Sequence, residues 1–353
     1  MKSKVTILGA GAMGSAISIP LLDSQNSVNL WGTEYDIQIL NSITEGKPHP
    51  FLKAIIPKEV NIFYPEELDR ALEGSDTVLI AVTSDALRSI VERALPYIKT
   101  VTKFVILTKG LYVNMGKVSF PSKVVEEITM QKEEIGKKLK IVSVGGPCIA
   151  EELATRVPTA AVYASRHFDA AKECKKNFQT SYYRIHISTD TIGVELCAAL
   201  KNVYSIAIGW CRGLTEASNL NSMFNLESIM ITQAVKEMSI ISQRLGGRPD
   251  TAFGLAGLGD LNVTVRKIGG RNFLFGSLLG KGMSVREALG YLSRKGIHTI
   301  EGVSTGLKIY DLLTKEANIR DVLDKIPLLR LIVDVINGNI QIKEAIRIIL
   351  DVV

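Results

Sequence analysis

The sequence predicts an α/β domain with a parallel sheet at residues 1–189, followed by an all-α domain at residues 190–353. Short Val- and Ile-rich runs alternate with helical patterns through the first half of the chain, which is typical of parallel strands covered on both faces. From about Asp190 onward, apolar residues recur at helical spacing and long strand-like runs largely disappear. The chain has 353 residues, which is long enough for a core in each domain.

The most specific local pattern lies near the beginning of the chain. The apolar run at residues 5–8 leads directly into the G-x-G-x-x-G sequence of Gly9, Gly11 and Gly14, and a helical pattern follows. In such a unit the first glycine makes a tight turn, the second lets the backbone approach a pyrophosphate, and the third allows close packing of helix and strand. The pattern therefore predicts a Rossmann-type, doubly wound parallel sheet that binds a dinucleotide at a helix N-terminus.

The remaining elements follow from the same patterns. Further strands are predicted at residues 27–31, 77–82, 104–107, 140–144, 160–163 and 183–187. Helices are predicted at residues 85–95, 192–211, 226–245, 303–313 and 343–350.

Composition excludes several classes of function. Hydrophobic residues make up 46% of the chain and charged residues 22%, which is ordinary for a soluble globular protein. We expect no membrane span and a cytoplasmic location, because no apolar run reaches about 18 residues and no secretory signal is visible. The four cysteines and four histidines lack metal-ligand spacing, so no metal site is predicted. The net charge of +6 is dispersed, which favours an anionic small substrate over a nucleic acid.

Glycine-containing turns follow several predicted strands, at Gly32, Gly110 and Gly146. Because ligands of open α/β sheets bind outside the carboxyl ends of the strands, these turns are expected to line a cofactor crevice. Lys109 follows a buried strand and is a candidate for directing an ammonium at an anionic substrate or a developing oxyanion. The alternative is a turn lysine that lies in water.

Two further constellations lie in the second domain. Lys201 and Asn202 follow an apolar helical stripe, where desolvation would prepare a lysine for general-base work, although a lysine whose amine reaches water is an equal alternative. Asp260 ends a Gly- and Leu-rich run and is expected to need a buried partner, for which a catalytic lysine is suitable. Arg271 and Asn272 can bind a phosphate or carboxylate, or else form a solvated loop.

Together the motifs resemble those of the soluble NAD(P)-dependent glycerol-3-phosphate dehydrogenases. Their order is G-A-G-A-M-G, T-K-G, G-G-P, E-L-x-x-A-x-K-N, G-L-G-D-L-x-x-T, G-G-R-N and E-G, from Gly9 to Gly302. The resemblance implies reversible reduction of dihydroxyacetone phosphate to sn-glycerol 3-phosphate with NAD or NADP, for glycerophospholipid or glycerol metabolism. It also implies a homodimer.

By this resemblance, Lys201 is the proton donor and acceptor for the C2 oxygen, and Asp260 orients it and balances its charge. Asn202 and Thr264 form hydrogen bonds nearby, and Lys109 polarises the substrate.

The resemblance also implies the binding residues. Gly146, Arg271 and Asn272 belong to the substrate site, with Arg271 and Asn272 on the phosphate. Many relatives carry other residues where Met13, Cys148 and Ile149 stand, which leaves the cofactor contacts there open. The cofactor is expected to contact Gly9, Gly11, Ala12, Met13, Gly14, Trp31, Thr33, Glu34, Lys109, Ala150, Arg271 and Glu301.

Three questions stay open from the sequence. Glu34, twenty residues after Gly14, matches an acid that selects NAD, yet Thr33 and nearby basic residues would equally admit the 2′-phosphate of NADP. A related hydroxyacid or ketopantoate-type reductase would use Arg271 on a carboxylate, and a non-catalytic dinucleotide sensor would not need Lys201. Spacing does not distinguish the sn-1 product from the sn-3 product.

Overall fold

The computed structural model describes residues 3–99, 101, 103–114, 117–267, 269–315 and 322–352. The chain divides into two compact units. Unit 1 comprises Met1–Tyr112 and Ser119–Thr191, and unit 2 comprises Val113–Val118 and Ile192–Val353. The main division lies two residues from the predicted boundary, whereas the inclusion of Val113–Val118 in unit 2 was not expected.

Within the described residues, unit 1 contains an eight-stranded sheet in the order β10-β9-β8-β5-β4-β1-β2-β3. Strand β1 lies between β2 and β4, which is the order of a doubly wound sheet and confirms the predicted fold class. The strands of this sheet are β1 (Lys4–Leu8), β2 (Ser27–Trp31), β3 (Asn61–Phe63), β4 (Thr77–Ile80), β5 (Lys103–Ile106), β8 (Lys140–Gly145), β9 (Thr159–Ala164) and β10 (Tyr183–Ser188). Strands β6 (Tyr112–Asn114) and β7 (Lys117–Ser119) form a separate pair.

The predicted parallel arrangement is wrong for one strand pair. β9 runs antiparallel to β8, with Ser143 opposite Ala164, although β9 and β10 are parallel to each other. A parallel neighbour needs a crossover that returns the chain along the whole strand. The connection contains only the five-residue helix Ala150–Ala154, about 8 Å long, against about 20 Å for the six-residue β8. The chain therefore enters β9 at the edge of the sheet where β8 ends, and the two strands run antiparallel.

The strands β3, β6 and β7 were not predicted from the sequence. Each has three residues, which is too short to display an alternating pattern.

Both faces of the main sheet are covered, as the apolar strands predicted. Val5 and Ile7 belong to one hydrophobic cluster and Leu8 to another, because successive side chains of a strand point to opposite faces. The helices that surround the sheet in sequence are α1 (Ala12–Asp23), α2 (Ile37–Thr44), α3 (Leu68–Leu72), α4 (Ser84–Ala94), α5 (Pro121–Thr129), α6 (Glu133–Gly136), α7 (Ala150–Ala154) and α8 (Phe168–Phe178).

From Thr191 onward, the regular elements of the described residues are all helices, as predicted. A π-helical segment, Leu255–Gly259, precedes α11. The helices are α9 (Thr191–Ala217), α10 (Phe224–Arg244), α11 (Asp260–Arg266), α12 (Arg271–Gly280), α13 (Val285–Arg294), α14 (Glu301–Lys315), α15 (Pro327–Ile336) and α16 (Ile342–Val352).

Among the described residues, helix α9 has the length and apolar composition that would allow a membrane crossing. However, 94% of its most apolar window is buried inside the protein. Burial of this kind is typical of the core helix of a folded domain, so the helix is weak support for a membrane span.

Candidate functional site

The glycine turn after β1 has a backbone that only glycine adopts easily. Gly9 has a φ of +107°, in a region that side chains disfavour. A Cβ atom built at Gly9 would lie 2.8 Å from Val82 Cγ1 and 2.9 Å from the Ala81 carbonyl oxygen. Conformation and space therefore both require glycine at the first position of the motif.

The other two glycines have the geometry that a pyrophosphate cradle needs. A Cβ atom at Gly14 would lie only 1.9 Å from the Gly9 carbonyl oxygen, so α1 packs directly against the turn. A Cβ atom at Gly11 would meet no atom of the described residues within 4 Å, which leaves the backbone open to a ligand. Gly11 is also the N-cap of α1, where unpaired N–H groups favour an anion. The turn thus fits a dinucleotide pyrophosphate.

Asp36 braces this turn from the segment after β2. Its Oδ2 atom accepts hydrogen bonds from the Thr33 amide and hydroxyl, both at 2.8 Å, and a longer one of 3.4 Å from the Ala10 amide. The carboxylate thereby joins the end of β2 to the glycine turn. No functional motif of the sequence includes Asp36, although its spacing from Thr33 is typical of a local turn.

His49 forms a hydrogen bond with the backbone carbonyl of Ala10. Its Nδ1 atom accepts hydrogen bonds from the amides of Phe51 and Leu52, at 3.1 and 3.3 Å. The ring hydrogen therefore lies on Nε2, which donates to the Ala10 carbonyl at 3.4 Å. Burial lowers the pKa of His49, so the ring is neutral near pH 7. No sequence pattern indicated this residue.

A cavity of about 440 Å³ lies beside the turn in unit 1. Gly9, Gly11, Thr33 and Glu34, four of the residues expected to contact the cofactor, line it, and Arg93 of α4 lines it as well. Trp31 was also expected to contact the cofactor. Its side chain is instead fully buried, with Nε1 donating to the Pro65 carbonyl oxygen at 3.3 Å.

The remaining cofactor candidates of unit 1 occupy partly or fully buried positions. Ala12 and Met13 of α1 are partly buried against the core, and Ala150 is the buried first residue of α7.

Lys109 and Gly146 follow the carboxyl ends of neighbouring strands. β5 and β8 pair in parallel, so the turns after them lie at the same edge of the sheet. Lys109 is partly buried, and the Thr108 hydroxyl fixes its turn by donating to the Val82 carbonyl at 2.8 Å. Gly146 has a φ of +115° and packs against the Ala161 backbone.

Unit 2 contains the predicted lysine–carboxylate pair. Lys201 Nζ lies 2.5 Å from Asp260 Oδ1, and the two residues are only 8% and 1% exposed. Lys201 belongs to α9, whereas Asp260 is the first residue of α11, directly after the π-helical segment. Thr264, one helical turn later, donates its hydroxyl to the Asp260 carbonyl oxygen at 2.6 Å. A buried ion pair of this kind needs good geometry to offset the loss of hydration.

Glu301 connects two further predicted residues of unit 2. One of its carboxylate oxygens accepts from Asn202 Nδ2 at 3.2 Å, and the other accepts from Arg271 Nη2 at 3.3 Å. Asn272 Oδ1 accepts from the Gly302 amide at 2.8 Å. The Arg271 side chain remains 47% exposed, so its guanidinium is accessible to an anion.

The structure therefore brings the predicted residues together in two groups. The turn after β1 and the cavity beside it form the group in unit 1. The Lys201–Asp260 pair and the contacts of Glu301 form the group in unit 2, where Asn202 follows Lys201 on the same helix.

Comparisons with known proteins agree with this arrangement. The family model of the NAD-dependent glycerol-3-phosphate dehydrogenase N-terminus matches residues 4–171, and that of the C-terminus matches residues 190–347. The chain is 43% identical to the NADP(+)-dependent glycerol-3-phosphate dehydrogenase of Archaeoglobus fulgidus over 88% of its length and 90% of the relative. It is 32% identical to the glycerol-3-phosphate dehydrogenase [NAD(P)+] of Bacillus velezensis over 88% of its length and 85% of that relative.

Among solved structures, the glycerol-3-phosphate dehydrogenase of Coxiella burnetii superimposes with a TM-score of 0.80. That chain is 27% identical, and the match covers 99% of each protein. The chain therefore belongs to the NAD-dependent glycerol-3-phosphate dehydrogenase family.

Proposed function

We propose that this chain is a cytoplasmic NAD(P)-dependent sn-glycerol-3-phosphate dehydrogenase that interconverts dihydroxyacetone phosphate and glycerol 3-phosphate. The observation that supports it most strongly is the buried Lys201–Asp260 pair. A charged amine is expensive to bury, and this pair places a proton donor beside a carboxylate where water is largely excluded. The names of the relatives from Archaeoglobus fulgidus and Bacillus velezensis support the same activity.

The substrate phosphate is assigned to Arg271 and Asn272. A guanidinium binds phosphate through two parallel N–H groups, and the Arg271 side chain, which donates to Glu301 through Nη2, is 47% exposed. Glu301 keeps the guanidinium in position and also contacts Asn202, the neighbour of Lys201. Glu301 thus links the anion-binding Arg271 to the residue that directly follows the proton donor on α9.

Lys201 is assigned the proton transfer. In the direction of reduction, its ammonium donates a proton to the substrate carbonyl oxygen, and Asp260 orients that ammonium and balances its charge. In the direction of oxidation, the neutral amine takes the proton from the C2 hydroxyl. A bound nicotinamide supplies or accepts the hydride. Lys109 is assigned to polarise the same carbonyl, since a nearby ammonium stabilises a developing alkoxide.

Turnover tests the proposal directly. Purified protein is mixed with dihydroxyacetone phosphate and NADH or NADPH, and consumption of the reduced cofactor is followed. We expect turnover with at least one cofactor and a loss of about 10²- to 10⁴-fold in kcat for Lys201→Ala. Lys236→Ala, an exposed lysine of α10, is the matched control and should leave kcat unchanged. Absence of turnover with both cofactors contradicts the activity, and an unchanged kcat in Lys201→Ala contradicts the assigned proton donor.

Two further measurements define the substrate. Ketopantoate offered in place of dihydroxyacetone phosphate should not be reduced at a comparable rate, because Arg271 is assigned to a phosphate. A chiral assay of the product should find the sn-3 isomer, and the sn-1 isomer would contradict the proposed stereochemistry.

A further inference from the structure

Two carboxylates and one guanidinium line the cavity of unit 1 where β2 ends. Glu34 and Asp36 follow β2, and Arg93 lies near the end of α4. In dinucleotide-binding folds, an acid near this strand end binds the ribose 2′-hydroxyl of NAD, whereas an arginine accommodates the 2′-phosphate of NADP. This inference rests on the proposed use of a dinucleotide and concerns which of the two the cavity prefers.

Asp36 already supports the glycine turn, so it is not a candidate for binding the ribose 2′ position. The Oδ2 atom of its carboxylate already accepts from the Thr33 amide, the Thr33 hydroxyl and the Ala10 amide. Redirecting Asp36 towards a ribose would release both the end of β2 and the glycine turn. The charged groups that remain at the cavity wall are Glu34 and Arg93.

Arg93 is held in position by groups other than Glu34. Its Nη2 atom donates to the Pro65 carbonyl oxygen at 2.6 Å. Its Cζ atom lies 5.1 Å from the centroid of the Trp31 ring, which is fully buried and therefore a rigid support. These two contacts would keep the guanidinium at the cavity wall even if Glu34 moved away.

The partner of Arg93 is weakly fixed by comparison. Glu34 Oε1 accepts from Arg93 Nη1 at 2.6 Å, and the Glu34 side chain is 59% exposed. Ion pairs between such exposed groups contribute little to stability, because water competes for both charges. A phosphate carries more charge than a carboxylate and accepts charge-assisted hydrogen bonds on three oxygens. It can therefore replace Glu34 on the guanidinium.

We propose that the cavity favours NADP over NAD, with Arg93 as the group that binds the 2′-phosphate and Glu34 as its exchangeable counter-ion. Glu34 occupies the guanidinium until the phosphate replaces it. The carboxylate therefore competes with NADP and moderates the preference that Arg93 creates.

A binding experiment with nucleotides that lack nicotinamide tests this assignment. The probes are 2′,5′-ADP and 5′-AMP, which differ in the 2′-phosphate, and their affinities for the full chain are measured by calorimetry. The unmodified protein should bind 2′,5′-ADP more tightly. Arg93→Gln should lower that affinity by about 10- to 100-fold and leave 5′-AMP within about threefold. Glu34→Gln should raise the affinity for 2′,5′-ADP severalfold, since the competitor is gone.

Arg88→Gln is the matched control. Arg88 lies on the same helix, is half-exposed and pairs with Glu92 and Glu127, and it does not line the cavity. Its replacement should change neither affinity. Arg93→Lys keeps the charge but loses the planar pair of donors, so an affinity between those of the unmodified protein and Arg93→Gln is expected.

Three outcomes would overturn the assignment. The first is equal affinity of the unmodified protein for both probes. The second is an equal loss of affinity for both probes in Arg93→Gln. The third is weaker 5′-AMP binding in Glu34→Gln with unchanged 2′,5′-ADP binding. The last result would assign Glu34 to the ribose of NAD. Because neither probe is a substrate, discrimination between them without turnover of dihydroxyacetone phosphate would contradict the proposed activity only. Turnover without discrimination would contradict this inference only.

Discussion

Single polar side chains hold the backbone of the glycine turn in its binding conformation. Ala10 presents an amide to Asp36 and a carbonyl to His49, and the Ser15 hydroxyl donates to the same carbonyl at 2.9 Å. Backbone groups with fixed partners do not need to reorganise when an anion binds, which lowers the free-energy cost of binding. We therefore expect His49 to act as a positioning residue for the cofactor.

We predict that His49→Ala raises the KM for the cofactor by about three- to tenfold and leaves kcat at saturating cofactor nearly unchanged. The reason is that the variant loosens the turn without touching Lys201. Steady-state kinetics with varied cofactor measure the effect, and His298→Ala, at an exposed position, is the control. A fall in kcat at constant KM would contradict the positioning role.

The titration of His49 has a definite direction. Burial lowers its pKa below the ordinary value of 6.5, so the folded protein binds this proton less readily than the unfolded chain. The contribution of the neutral ring to stability is complete above about pH 6.5 and is lost as the pH falls through the lowered pKa.

At the residue scale, sequence patterns identified Lys201, Asp260 and Arg271, because each lies in an unusual local context. The Glu34–Arg93 pair has no unusual local sequence context. Its members are 59 residues apart, and each resembles a surface residue in its own segment.

Among the helices of unit 2, a buried glutamate of α10 caps the N-terminus of α15. Glu237 accepts from the amides of Leu328 and Leu329 at 2.6 and 2.9 Å, and from the Tyr204 hydroxyl of α9 at 3.0 Å. The N-cap residue of α15 is Ile326, whose side chain has no acceptor. The carboxylate therefore satisfies free amides at the N-terminus of α15 and joins three helices.

The pH dependence of stability follows from this carboxylate. Burial raises the pKa of Glu237 to about 7, although its four hydrogen-bond donors act in the opposite direction. The folded state therefore binds a proton that the unfolded chain, with a pKa of 4.5, releases. The stability that comes from this proton is fully present below about pH 4.5 and is lost as the pH rises through about 7.

We predict that the free energy of unfolding declines by an amount on the order of 3 kcal/mol between about pH 5 and pH 7.5. In Glu237→Gln this decline should be absent. Urea unfolding at several pH values measures the difference between the two proteins. Glu344→Gln, at an exposed position of α16, should retain the decline of the unmodified protein. An identical slope in Glu237→Gln would contradict the assignment of the proton to this residue.

At the element scale, periodicity predicted the longer strands and the helices α1, α4, α9, α10, α14 and α16, but it missed the three-residue strands, the other helices and the direction of β9. Strand direction depends on whether the connecting chain can return along the sheet, and the short α7 does not reach that far. The capping of α15 was likewise invisible, since Glu237 and Leu328 are 91 residues apart.

For the whole molecule, the two family models and the two compact units divide the chain at nearly the same place. The family resemblance further implies a pair of chains.

We predict that the protein is a homodimer, with a solution mass twice that of a single chain. Light scattering coupled to gel filtration measures the mass at the concentration of the activity assay. The mass of one chain under those conditions would contradict the prediction.

The sequence by itself determined the fold class, the glycine turn and the residue types of the Lys201–Asp260 pair, because these depend on local spacing. Glycines at fixed offsets, an apolar run with one carboxylate and a lysine at the end of an apolar stripe are all visible within a few residues. Only the tertiary structure decided which side chains support Ala10, which residue engages Arg93 and where Glu237 forms its hydrogen bonds. Those contacts join segments that are distant in the chain, so they depend on how the elements pack and have no local signature.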